Sequence, residues 1–157
     1  MVAGQMTPRR LDQTERMARA VGRIRREMTG RVARVMEARG SPLVHWQLVS
    51  AIAYEGLHSQ AALATRVGMD PAGTSRALDD LERSALVKRE RDGDDRRRVS
   101  LTLTPKGRRW YAQARDVVMA ELAPLFEPLS TGEARQLEAL LSRLATHSSG
   151  SSSDGSE

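Results

Sequence analysis

The chain has 157 residues, with 25 lysines and arginines against 20 aspartates and glutamates, a length that builds one ordinary domain with extensions and excludes two large ones. The formal net charge of +5 favours an anionic partner, and the absence of cysteine excludes disulfides, thiolate metal sites and cysteine-based oxidant sensing. No apolar run approaches a membrane span and the N-terminus lacks the apolar segment of a secretory leader, so a cytoplasmic protein without membrane contact is expected, nucleoid-associated if its partner is DNA.

Residues 1–8 carry no pattern and are expected to be disordered. From Arg9 to Arg39, apolar residues recur at Met17, Val21, Ile24, Met28, Val32 and Val35, a helical seam set among ten arginines and four acids. So narrow a stripe needs a partner surface. Gly40 closes this helix, and Ser41-Pro42 is expected to open the next by joining a capping side chain to a proline at the first helical position. Trp46, Val49 and Ile52 follow at helical spacing, which predicts a floor between the N-terminal helix and the segment beyond. Gly56 ends it.

A short helix beginning near Ser59 carries Leu63 and Val67 and stops at Gly68, a residue type that accepts left-handed backbone. Asp70-Pro71 starts the next, because an aspartate accepts the free amide protons of a first turn and proline has none to lose there. At 100° per residue, Thr74, Ala77, Leu78 and Leu81 share the buried face. Ala72, Gly73, Arg76, Asp79 and Arg83 lie opposite, with Ser75 at the flank. Small residues plus one arginine suit a helix whose first turn enters a major groove. Asp79 is expected to pair with Arg83 and Arg76 with Asp80, each four residues apart.

Leu86 to Arg91, and Val99, Leu101 and Leu103 alternating with Ser100, Thr102 and Thr104, read as the strands of a hairpin around Asp92-Gly93-Asp94-Asp95. Six basic residues lie between Lys88 and Arg98 against four acidic ones. Alone such a run is a solvated loop; beside the preceding helix, its arginine tip can reach the neighbouring minor groove.

This run resembles the MarR family of bacterial transcription regulators, through Asp95-Arg96-Arg97 spaced ahead of Leu103-Thr104-Pro105-Lys106-Gly107 and through Asp70-Pro71-Ala72-Gly73-Thr74-Ser75-Arg76. The resemblance implies that Arg97 is a minor-groove arginine held by Asp95 through a charge-assisted hydrogen bond. It also implies a mainly α winged helix-turn-helix with a small β-hairpin wing and N- and C-terminal dimerisation helices.

Thr104-Pro105 is a third cap-plus-proline start, for a helix carrying Trp110, Tyr111, Ala114, Val117, Val118, Leu122 and Leu125 that Pro128 should close, with a kink at Pro124. Ser130 and Glu133 have capping-box spacing ahead of a last short helix bearing Leu137, Leu140, Leu141 and Leu144. The Ser/Gly-rich residues 147–157 are expected to be a disordered tail. Residues 9–40 and 105–146 thus read as a helical dimerisation region around a winged helix-turn-helix over 41–104. Apolar stripes at both ends suit a twofold homodimer, the alternative being that the terminal helices cover the monomer's own core.

His45, His58 and His147 have no metal-ligand spacing, and no nucleotide loop, nucleophile motif or carboxylate pair is present, so neither an enzyme nor a cofactor or metal is expected. By the family resemblance, a small anionic or phenolic aromatic effector would bind between the dimerisation helices and the DNA reader. His45, Trp46, Trp110, Tyr111 and Arg115 are the candidate lining, with hydrophobic packing as the alternative. The expected function is a dimeric repressor of a pseudo-palindromic duplex operator. In it Ala72 and Gly73 permit close approach, Thr74, Ser75 and Arg76 position or read bases, and Lys88, Arg89, Arg96, Arg97 and Arg98 hold phosphates or the minor groove. A protein-interaction module and a non-specific architectural DNA binder are the alternatives, since fold alone does not decide function.

Overall fold

Left-handed backbone punctuates the helices. Helix α1 (Pro8–Ala38) ends at Gly40, φ 64°, where the Gly40 amide donates to Glu37 O and the Ser41 amide to Met36 O. That closing motif consumes Ser41: the first residue ahead of α2 (Leu43–Tyr54) is Pro42, in extended backbone, with no side-chain cap. The expected Ser41-Pro42 cap is therefore corrected, because Ser41 belongs to the end of α1. Helix α3 (Gln60–Val67) is capped by Ser59, whose hydroxyl accepts from the Ala62 amide at 3.2 Å, and Gly68 closes it as expected. Helix α4 (Pro71–Arg83) starts at Asp70-Pro71 as the sequence predicts.

The computed structural model describes residues 8–91 and 99–150, and the chain divides into two compact units after Glu121. In the first unit, Leu48, Val49, Ala51 and Ile52 of α2, Leu63 of α3 and Ala77, Leu78 and Leu81 of α4 form one core. It continues into Leu86 and the hairpin of β1 (Val87–Arg91) and β2 (Val99–Leu103). Val44, Leu57, Val67, Trp110 and Tyr111 pack on it. Helix α2 is the floor that its spacing predicts. The antiparallel register pairs Val87 with Leu103 and Arg89 with Leu101, so the period of two turns Val87, Leu101 and Leu103 into the core.

The hairpin is locked at its base. Three successive carbonyls between α4 and β1 accept from the start of α5 (Pro105–Leu122): Ser84 O from Lys106 Nζ at 2.9 Å, Ala85 O from Thr104 Oγ1 at 2.6 Å and Leu86 O from the Thr104 amide at 3.1 Å. Thr104 Oγ1 also accepts from the Gly107 amide at 2.9 Å and so caps α5. A Cβ on Gly107 would lie 1.9 Å from Leu86 O, which explains glycine there. Arg31 of α1 donates to Glu121 O at 3.1 Å, and Val32, Met36, Ala114 and Val118 are buried.

Helix α5 stops at Leu122, and a single 3₁₀ turn over Ala123–Leu125 contains Pro124. The expected continuation to Pro128 is corrected: Pro124 has no amide to donate and ends the helix instead of kinking it. In the second unit, Ser130 and Glu133 form the expected capping box. Helix α6 (Thr131–Gly150) has 20 residues, longer than the short helix predicted and running past its expected limit at 146. Among the described residues, no helix is long and apolar enough to cross a membrane.

Candidate nucleic-acid interface

Asp70 Oδ1 accepts the Gly73 amide at 2.8 Å, a bond that holds the carboxyl below its ordinary range and fixes the first turn of α4. Of the residues expected to face a groove, Ala72 and Arg76 are exposed and Ser75 is half-buried. Two expectations are corrected. Gly73 is buried, because the Asp70 carboxylate and the Met69 side chain fold over it, 3.1 and 3.0 Å from where a Cβ would stand. Thr74 is 0% exposed and its hydroxyl donates to Asp70 O at 3.0 Å, so it supports the turn from beneath and is withheld from any groove.

The acids of α4 pair differently from the helical i, i+4 expectation. Arg83 reaches Asp80 three residues back at 2.7 Å, and Asp79 is taken by Arg89 of β1 at 2.6 Å. Arg89 also pairs with Glu82. Arg76 forms no ion pair among the described residues. Lys88, on the opposite strand face from Arg89, pairs with Glu90, which also accepts from Thr102 at 3.0 Å; these bonds lower the Glu90 carboxyl's pKa, the Lys88 bond most. Asp95, Arg96, Arg97 and Arg98, the expected wing tip, lie outside the described residues.

The aromatic residues are partly brought together. Trp46 of α2 and Tyr111 of α5 stack with ring centroids 5.6 Å apart and planes 20° apart. His45 is half-buried; desolvation lowers its pKa, opposed by the Asp80 carboxylate. Trp110 packs on the core, and Arg115 is exposed beside Asp116 at 3.9 Å. A cleft of about 440 Å³ lies instead against Tyr111 and is lined by Ile52, Ala53, His58, Thr102, Leu103 and Arg108. His58 Nδ1 is bonded to Leu101 O at 2.9 Å, and Arg108 Nη1 donates to Leu103 O at 2.8 Å. Of the five residues predicted to line a pocket, Tyr111 alone lines this one. The other lining residues come from α2, a loop, β2 and the first turn of α5, which no single periodicity connects.

Residues 39–98 match the MarR family. In sequence, the chain is 34% identical over 86 residues to a protein described as a transcriptional regulator for the hcr operon of Thauera aromatica, a match spanning 55% of this chain and 52% of that protein. The chain thus spans about half the length of that curated relative. In structure, it is similar to a variant of Escherichia coli MarR crystallised with operator DNA, with TM-score 0.67, 18% identity and coverage of 85% and 96% of the two chains. It is also similar to CouR of Rhodococcus jostii bound to p-coumaroyl-CoA, with TM-score 0.69, 24% identity and coverage of 82% and 91%. These likenesses show the shared fold.

Proposed function

We propose that this chain is a MarR-family transcriptional regulator that reads duplex DNA through α4. The observation that carries the reading is the first turn of α4: capped by Asp70, small at Ala72, and presenting Arg76 outward without an ion pair among the described residues. A helix so built can bring its backbone near base edges and extend one guanidinium to guanine or phosphate. The likeness to a MarR fold solved with operator DNA supports it.

The DNA-binding form is a homodimer. Leu11, Met17, Val21 and Ile24 of α1 are exposed large apolar residues, as are Leu137, Leu140, Leu141 and Leu144 of α6, and a second copy is the economical cover for such stripes. Two α4 helices then enter successive major grooves about 34 Å apart, with Arg97 in a flanking minor groove. The protein acts as a repressor, released by a small aromatic acid or phenol bound beside the Trp46–Tyr111 stack. That part rests on the stack, the adjoining cleft and the p-coumaroyl-CoA bound by CouR.

Selection of bound duplexes from a random pool tests the reading. An enriched inverted repeat with half-sites one helical turn apart is expected, and a pool that stays random would refute sequence-specific reading. Titrating aromatic acids against tryptophan fluorescence tests the effector, expected to shift emission and weaken binding to the selected duplex together.

A further inference from the structure

We propose that Arg89 is a positioning residue, clamping the wing to the recognition helix, and makes no DNA contact of its own; the proposal rests on the DNA-reading function above. The strand period places Arg89 on the face of β1 that carries Val87 into the core. Just beyond the core's edge its side chain meets Asp79 and Glu82, one helical turn apart on α4. Nη2 donates to Asp79 Oδ1 at 2.6 Å, Nη1 donates to Glu82 Oε2, and the Arg89 amide lies 3.4 Å from Glu82 Oε1.

The guanidinium side chain is 28% exposed and its fork is divided between two carboxylates. Two consequences follow from that geometry. The planar fork fixes the angle at which the hairpin leaves α4, which a single flexible ammonium could not do. The same bonds neutralise two carboxylates on the exposed face of α4, where unpaired they would oppose phosphate. A cation so engaged has little left to offer DNA.

The clamp and a direct phosphate contact predict opposite signs. If Arg89 held phosphate, replacing its acids (Asp79→Asn with Glu82→Gln) would free it, remove repulsion and tighten binding. If Arg89 is a clamp, the same double variant loosens the hairpin and weakens binding to the duplex selected by the wild-type chain by about tenfold, within the range of coupled networks. Random duplex should lose less than about threefold, because sequence-independent attraction survives. Arg89→Lys, which keeps the charge and loses the fork, should resemble the double variant, and Arg89→Ala on top of it should add little.

Binding of the selected duplex that is unchanged or tighter in the double variant would overturn the clamp. A second readout needs no DNA: hydrogen exchange of the β1 and β2 amides in the free protein should speed up about tenfold in the double variant. Unchanged exchange would also overturn the clamp. Should the wild-type chain select no duplex, the DNA-reading function fails by itself, and the exchange measurement still decides the clamp.

Discussion

Helices α4 and α1 are both amphipathic, and they meet opposite fates in the single chain. The apolar face of α4 is spent: Ala77, Leu78 and Leu81 are buried against α2, α3 and the hairpin. Helix α1 buries Val32 and Met36 near its C-terminal end, while Met17 and Val21 are each 54% exposed. A 31-residue helix with its stripe in water along more than half its length has little to hold it as a helix, because stability in proteins comes from packing one face. One chain therefore completes its reader but leaves its long helix unfinished.

The largest effect should come from the unfinished element. Burial of one aliphatic side chain contributes about 1.5–3 kcal/mol, and a twofold interface counts each substitution twice, so Val21→Glu with Ile24→Glu should weaken association by about 6 kcal/mol or more. Sedimentation should show a dimeric wild type at micromolar concentration and a monomeric variant that keeps the reader's folded core. A wild type sedimenting as one chain would break the comparison, since α1 would then be exposed for some other reason.

The reader is vulnerable at its locked corner instead. Gly107→Ala would drive a Cβ to 1.9 Å from Leu86 O, where backbone cannot step aside, so a loss of about 3 kcal/mol or more in unfolding free energy is expected. Urea unfolding followed by tryptophan fluorescence would measure it, because Trp46 and Trp110 both pack in this unit. A loss below about 1 kcal/mol would mean that the corner relaxes easily and that α5 is less firmly joined to the hairpin than its hydrogen bonds imply.

Much of the reader was legible because its signals are local. Gly68, Asp70-Pro71 and the alternation of Leu101 and Leu103 each encode their own conformation within a few residues. What escaped was tertiary. Arg89 outcompetes Arg83 for Asp79 because the hairpin folds back onto α4, and no helical spacing anticipates a partner ten residues away. Gly73 has the phase of an exposed position, yet its neighbours' side chains cover it. Ser41 has the composition of a cap, but the preceding helix's closing turn claims it first. The cleft beside Tyr111 draws His58 and Arg108 from separate elements, whereas the sequence offered mainly the nearby aromatic rings.

The same corner offers a gain. Ala85 ends α4 at φ 56°, the left-handed region that a Cβ disfavours, while Gly40 and Gly68 close α1 and α3 in equivalent turns. Ala85→Gly should raise stability by about 1 kcal/mol, as relief of left-handed strain outweighs the added freedom of the unfolded chain. In a chain of this size that is a rise of about 2–4 °C in Tm. No rise would show that the three carbonyl bonds to Thr104 and Lys106 already stabilise the turn enough to hide the strain.

The smallest effect lies beneath the reader, on α2, and is seen through pH. His45 sits half-buried on α2, and desolvation lowers its pKa more than Asp80 raises it. The unfolded chain therefore binds a proton more readily, so stability is full above the ordinary imidazole value of about 6.5 and falls as pH drops through it, levelling once the folded form is also protonated. The effect should be modest, because a half-exposed ring is screened by solvent. Urea midpoints should fall across this window in the wild type and fall less in His45→Gln. A midpoint curve of equal slope in the two proteins would place the titrating group elsewhere and leave His45 as packing alone.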